Sequence, residues 1–557
     1  MPEAQSGQDA QEGRRGRPGT DRATGARLPQ GQTTELNTDH QEGPSYVAHT
    51  DVLDLPLVLL SNRGPVTFDR DAAGRTVNRG AGGLVSALSG LAEHLDDAVW
   101  VCGAATDEDT AVVREAAGQA LLVQTHPIPH LVDDRFGDAR PDGPSIKVRM
   151  VVTDPAAYAD FYSVWANPIL WFVQHGLYGR ALSPVLTQAE RDAFENGYAA
   201  VNRAYADAVA DEVRARGGKA LVLLQDYHFY LVAERVREQC PDVVLTHFVH
   251  IPWPAPDEWR VLPADIRARL LMGLLGSDVV GFHTRRYARN FVLCASELLG
   301  LPIDLEAMTI TVGDRTVRAR YYPISVDPAV LDATQASEQV SAHVAMLRYI
   351  FLDDDRQLMV RVDRTDPSKN VVRGFLAFGT LLEQHPELVG RVSFLALLQP
   401  SRTDVPEYAD YIALIGGVVA EINAKYTKEG RQPIDLRMVE DFPLAVAAYS
   451  ICDVLVVNAI ADGMNLVAKE LAVVNRRGGV LALSETAGAH EELGEFAVTL
   501  HPFDIQQMAD AFYTALTMPL EERHRRLAAA AEQVRTHDVA RWLGDQLEEL
   551  SRLAGFA

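Results

Sequence analysis

Polar residues able to hold a sugar or a phosphate recur at one kind of place in this 557-residue chain, directly after short apolar runs. The clearest case is ADGMNLVAKE, Ala461 to Glu470, which follows CDVLVVNAI. An acidic residue and a glycine there precede a helical pattern beginning near Leu466, so backbone N–H groups at a helix start would face an anion, a phosphate above all. Asp462 would accept hydrogen bonds from sugar-like hydroxyls, and Glu470 would reach a ribose. The plainer reading is an ordinary strand-to-helix turn, with Asp462 capping and Gly463 permitting the bend. This stretch by itself does not separate the two.

Other apolar runs end in Asn62-Arg63, in Asp226-Tyr227-His228, in His250 with Pro252 and Trp253, in Arg364 with Lys369, and in Ser401-Arg402. Each alone has an everyday explanation: a surface charge, a satisfied core histidine, a solvated loop, a cap. Together they describe one site. Gly82 and Gly83 at a helix start, with the cationic pair Arg364 and Lys369, would hold a diphosphate between two domains.

The elements that must position these groups follow from the pattern of runs. Short, continuous, Val- and Leu-rich segments at Leu55–Leu60, Ala98–Cys102, Ala220–Gln225, Val243–Val249 and Asp278–Phe282 read as buried strands, each separated from the next by helical sequence. A proline-bearing extended segment, Arg320–Pro328, marks a boundary. Gln357–Val362, Val392–Leu398, Ile434–Met438, Val454–Val457 and Gly479–Leu483 then repeat the pattern, and Leu520–Leu553 reads as helical throughout. Strands alternating with helices give an α/β fold with parallel, doubly wound sheets, whose ligands bind beyond the carboxyl ends of the strands. Residues 1–53 hold almost no large apolar side chains and are expected to be a disordered tail.

Composition narrows the classes of function. A net charge of −24 argues against nucleic acid as a partner, and no stretch reaches the apolar length of a membrane span. The four cysteines, Cys102, Cys240, Cys294 and Cys452, are scattered in apolar settings, which gives neither a disulfide framework nor a metal site. A cytoplasmic protein without cofactor or metal is expected, and a homo-oligomer is left open.

From about Leu55 to the C-terminus the chain resembles the trehalose-6-phosphate synthase family of retaining glycosyltransferases, family 20. LSNRGPV, GAGGL, FYSVWANPILW, QDYH, HIPWPAPDEWRVLP, GSDVVGFHT, YPISVDP, RVDRTDPSKN, PSRTDVPEY, INAKY, DGMNLVAKE and LSETAGAHEEL fall in order where that family carries related motifs. The resemblance implies the GT-B architecture, two Rossmann-like domains facing across a cleft. Residues 54–326 would carry the acceptor, 327–535 the nucleotide-sugar, and 536–557 a helix packing back on the first domain. A nucleotide-glucose donor would meet Gly82, Gly83, His250, Arg364, Lys369, Asp462, Gly463, Met464, Asn465, Leu466 and Glu470. Glucose 6-phosphate would be gripped through its phosphate by Arg63, Tyr162, Trp171 and Arg402, and oriented by Asp226. The family's catalytic set maps onto Asp226, His250, Arg364, Lys369 and Asp462, and the product would be α,α-trehalose 6-phosphate.

Two departures stand out. Gln225 replaces the histidine that many members carry before Asp-Tyr-His, and Ala461 replaces an arginine before Asp-Gly. The second alters the donor lip; with several donor-side motifs shared with the branch that uses guanosine diphosphate donors, it leans the expected donor towards GDP-glucose over UDP-glucose. Two rivals share the fold. One is a pseudo-glycosyltransferase of the validoxylamine 7'-phosphate synthase kind, joining a nucleotide-cyclitol to an aminocyclitol phosphate. The other is a catalytically dead sugar-phosphate sensor. Retention of Arg364, Lys369, Asp462 and Glu470 speaks against the sensor, and Met464 with Val467-Ala468-Lys469-Glu470 against the cyclitol branch.

Overall fold

Two large open sheets and a two-stranded hairpin, Val66–Asp71 with Gly74–Arg79, are formed by the described residues. The computed structural model describes residues 55–72, 74–80, 88, 98–124, 130–131, 145–352, 356–403 and 405–555. The expected tail, Gly82, Gly83 and nearly all of the helix that would follow them lie outside these residues.

In the first sheet the parallel strands are β1 (Leu57–Leu60), β2 (Ala98–Gly103), β3 (Ser145–Val151), β4 (Leu221–Gln225), β5 (Val244–Phe248), β6 (Val279–Phe282) and β7 (Arg315–Tyr321). They lie side by side as β7-β6-β5-β4-β1-β2-β3, and short antiparallel strands extend both edges to eleven strands among the described residues. The second sheet holds β8 (Gln357–Arg364), β9 (Val392–Gln399), β10 (Ile434–Met438), β11 (Val454–Val457), β12 (Val480–Ser484) and β13 (Val498–Leu500). Its six strands, all parallel, run β10-β9-β8-β11-β12-β13, the strand order of a Rossmann sheet.

Every strand expected from the sequence is present; β1, β4 and β11, the most continuously apolar, are buried along their whole length, as parallel strands covered on both faces are. β3 was not expected. Its residues, SIKVRMV, alternate buried and half-exposed, because β3 is the last parallel strand before the antiparallel edge and only one of its faces is well covered. The run Leu520–Leu553 is two helices, α1 (Leu520–Thr536) and α2 (Val539–Ala554); the first ends at His537, and Asp538 caps the second by accepting from Arg541 N–H. α2 crosses back to the first sheet: Trp542 packs edge-on against Phe248 of β5 at 5.4 Å, and Val539 N–H donates to Val326 O at 3.1 Å.

The order of strands fixes where ligands can enter. In the first sheet the direction of winding reverses between β1 and β4, and in the second between β8 and β11. Open parallel sheets bind ligands at that reversal, where neighbouring loops diverge and leave a crevice. Asn62 and Arg63 follow β1, Asp226 follows β4, Arg364 ends β8, and Asp462 comes five residues after β11.

Candidate active site

The second sheet contributes a cluster of internally paired charges. Arg364 lies 2.7 Å from Asp366, and Lys369 Nζ donates to Asp462 Oδ2 at 2.5 Å. Below them Arg361, fully buried, donates to Asp363 Oδ2 at 2.7 Å and to Lys369 O at 3.1 Å, which fixes the turn carrying the lysine. Burial would raise the Asp462 carboxyl, but Lys369 and the Asn465 amide outweigh it and hold the group below its usual range. Burial likewise works against the charge on Lys369, and Asp462 and Asp363 overcome it to raise the lysine.

The turn after β11 is built to free Asp462. Asn465, at φ 85°, is the cap of the helix Leu466–Val474: its Oδ1 accepts from Ala468 N–H at 3.2 Å while its Nδ2 donates to Asp462 at 3.0 Å. The plainer reading of Asp462 as the helix cap is therefore set aside. Gly463 has a different reason to be glycine from a simple bend. A Cβ there would stand 1.9 Å from the carbonyl oxygen of His250, so this is where the backbones of the two halves touch. Asp462 and His250 are thereby brought together, and Tyr287 O–H ties the same turn by donating to Asp462 O at 2.9 Å. The Met464 side chain turns into the core, 3% exposed, leaving only its backbone for a ligand. Glu470 lies partly buried beside Tyr449, and burial pushes its carboxyl up to about 7 against that hydrogen bond.

Aromatic rings form the opposing wall. The helical stretch 155–174 runs in π register over Asp160–Leu170, an irregularity common near functional sites. It sets Tyr162 in a stack on His228, with centroids 6.1 Å apart, and presents Trp171 to the arginines of the second sheet. Arg402 lies 4.3 Å and Arg364 5.5 Å from the Trp171 ring centroid. Arg402, at φ 49°, donates to Tyr408 O–H at 2.7 Å and across the junction to Tyr227 O–H at 3.2 Å, and pairs with Asp366 at 3.4 Å. Arg63 is exposed; it and Arg402 both help to hold His228 neutral, burial being the larger cause. Trp171 Nε1, His228 Nε2 and Arg402 Nε are buried with no hydrogen-bond partner among the described residues. Orphaned polar atoms gathered at one place are the mark of a site that a polar ligand completes.

Asp226 sits at φ 74°, a conformation that costs a non-glycine residue energy, and the hydrogen bond from its N–H to Phe248 O at 2.7 Å holds it there. Its carboxylate accepts from His250 N–H at 3.3 Å instead of capping the turn it opens. Burial pushes its carboxyl up to about 6, against the backbone N–H groups of Tyr227 and His250 and the charges of Arg402 and Arg364.

The structure thus gathers Tyr162, Trp171, Asp226, Arg364, Lys369, Arg402 and Asp462 around one junction, with Arg63 and His250 at its margins. It also adds groups not expected from the sequence. Asp366, fully buried, is shared by Arg364 and Arg402. His175 stacks on Trp171 at 4.1 Å, is pushed down to about 4 by burial, and lies within electrostatic reach of Asp462, Lys369 and Asp366. The signal for His175 was its place four residues after Trp171, on the same helix face.

Two Rossmann-like sheets, joined so that their crevices meet over a cluster of cations, make this a GT-B glycosyltransferase. The glycosyltransferase family 20 profile matches residues 56–552. "Alpha,alpha-trehalose-phosphate synthase [UDP-forming] 1" of Aspergillus niger is 32% identical over 507 residues, covering 89% of this chain and 90% of that protein. A solved synthase of Burkholderia xenovorans in complex with glucose-6-phosphate superposes with a TM-score of 0.71 at 27% identity, over 89% of this chain and 99% of that one. An E. coli structure bound with UDP-2-fluoro glucose gives 0.72 at 26% identity, over 89% and 99%. The chain belongs to glycosyltransferase family 20, the family of the trehalose-phosphate synthases.

Proposed function

We propose that this enzyme transfers glucose, with retention, from a nucleotide-glucose to glucose 6-phosphate, giving α,α-trehalose 6-phosphate. The observation that carries the reading is the pairing, across one junction, of a cationic crevice in the second sheet with unpartnered donors at Trp171 and Arg402. On this reading residues 54–326 carry the acceptor, 327–535 the donor, and 536–557 return to the first domain.

Each group then has a task its chemistry suits. Arg364 and Lys369 take the donor diphosphate, with the Asn465–Leu466 backbone at the helix start and Gly82 and Gly83 completing its cradle. Glu470 holds the ribose, and Asp462 and His250 the hydroxyls of the donor glucose. Arg63, Tyr162, Trp171 and Arg402 hold the acceptor phosphate, and Asp226 orients the acceptor sugar. Lys369 is already engaged by Asp462, so an arriving diphosphate draws the lysine towards itself and releases the carboxylate for a sugar hydroxyl. Retention needs no carboxylate nucleophile. The departing diphosphate accepts the proton of the attacking hydroxyl on the same face, while Arg364 and Lys369 stabilise the charge that grows on it.

Relatives such as those of Aspergillus niger and Schizosaccharomyces pombe are named as UDP-forming, which favours UDP-glucose over the GDP-glucose to which Ala461 and the donor-side motifs leaned. Comparison of kcat/KM for the two donors, side by side with glucose 6-phosphate, decides the base. The reaction itself is tested by mixing the enzyme with donor and acceptor, separately and together, and resolving the product by NMR. Nucleoside diphosphate released only when both are present, with an α,α-linked disaccharide phosphate, is expected. No release with either donor would overturn the proposal in favour of a sensor.

A further inference from the structure

Gln225 closes β4 with its side chain 1% exposed. Its Oε1 lies 2.8 Å from His250 Nε2, and since an amide oxygen only accepts, the contact is satisfied by the ring tautomer with its proton on Nε2. Among the described residues no hydrogen bond reaches His250 Nδ1. The ring is walled by Phe248, His283 and Trp542 at centroid distances of 4.6, 5.1 and 6.2 Å. The titratable groups that bear on it are His283 and His247, and burial pushes both of these down. Asp226 meets only the backbone N–H of His250, Gly463 presses against its carbonyl, and Asp462, on the same turn, is engaged by Lys369, so among the described residues no carboxylate is hydrogen-bonded to the imidazole.

We infer that Gln225 is a positioning residue, whose amide oxygen keeps His250 neutral with its proton on Nε2 and its Nδ1 lone pair turned to the donor sugar. The inference rests on the sugar-binding role proposed above for His250. Its physical sense lies in the transition state. As the glycosidic bond breaks, positive charge develops at the anomeric carbon, and an imidazolium beside it would oppose that charge. A carboxylate at position 225 would invite the imidazolium; an amide of the same shape does not. Burial then works with the amide, since it depresses the basicity of His250 well below the ordinary histidine value.

The test uses the full chain labelled with 15N-histidine, the His250 signal being identified by its loss in His250→Asn. Gln225→Glu and Gln225→Met are compared with wild type by 15N shifts and by kcat/KM across pH. Wild type should show His250 neutral and protonated on Nε2 throughout the neutral range. In Gln225→Glu the pair retains an extra proton, which leaves Nδ1 protonated whether the carboxylate is charged or has itself donated to Nε2. Its kcat/KM should therefore be about tenfold or more below wild type near pH 6.5 and recover as pH rises. Gln225→Met, uncharged and of similar size, should give mixed tautomers and a loss that does not vary with pH. A wild-type proton on Nδ1, or a Glu variant with unchanged shifts, overturns the positioning role. Shifts that change as expected without any change in the pH profile of transfer overturn it as well. A wild-type enzyme without transferase activity would instead contradict the proposed function, while the shifts still decide the tautomer.

Discussion

The two sides of the junction solve the same problem, holding an anion, in opposite ways. On the second sheet the charges are paired among themselves: Lys369 with Asp462, Arg364 with Asp366, and Arg361 with Asp363. On the aromatic wall polar atoms wait unpaired at Trp171 Nε1 and His228 Nε2. A ligand on the first side has to exchange partners, whereas one on the second also meets donors that have no partner among the described residues. Exchange suits a group whose charge grows during the reaction, since the cations are fully committed to it only when the bond breaks. Filling suits a phosphate that stays unchanged and serves as a handle. On the function proposed above, the difference puts catalysis on one side and recognition on the other.

The sharpest way to break that division is Lys369→Ala. It removes a cation aimed at growing charge, so kcat should fall by about 10²-fold or more. A kcat within about twofold of wild type would remove the catalytic role. Trp171→Phe keeps the ring under Arg402 and deletes only the orphaned N–H. A hydrogen bond to a charged group is worth roughly 1.5–3 kcal/mol, so KM for glucose 6-phosphate should rise about tenfold or more while kcat holds. A fall confined to kcat would move Trp171 to the catalytic side. The smallest effect is in pH. Asp226 is pushed up to about 6, so its carboxylate is intact above that value and protonates below it. Acceptor kcat/KM should fall up to tenfold per unit as pH drops through about 6. The residual activity of Asp226→Asn should lack that limb; an identical limb in the variant would assign it to another group.

How much of this was legible in the sequence depends on the same asymmetry. The charged residues Arg364, Lys369 and Asp462 stand at or just beyond the carboxyl ends of largely apolar runs, so they could be found from the residues that follow each run. The pairing that sets their resting state was not legible, because Lys369 and Asp462 lie 93 positions apart and meet only through the strand order. The aromatic wall was harder. Tyr162 and Trp171 lie in a helical run rich in apolar residues, where π register decides which rings face the junction, and no spacing rule announces that register. They entered through family resemblance. Asp366 was passed over although it sits between Arg364 and Lys369, because a buried carboxylate shared by two arginines looks, in sequence, like any loop aspartate. β3 escaped for want of a continuous apolar run, and the break at Asp538 because its flanking residues keep helical spacing.

The central claim is that one junction grips a diphosphate on its catalytic side and, separately, the acceptor's phosphate between Arg63 of the first sheet's loops and Arg402 of the second's. The most direct measurement is the kinetics of Arg63→Ala and Arg402→Ala with glucose 6-phosphate and with unphosphorylated glucose. Each charge-assisted contact should be worth roughly 1.5–3 kcal/mol, so kcat/KM for glucose 6-phosphate should fall about ten- to a hundredfold. Donor affinity, and whatever slight activity wild type shows towards glucose, should be retained. Equal fractional losses with the two acceptors would contradict the account, because the arginines would then serve the fold or the donor and not the phosphate.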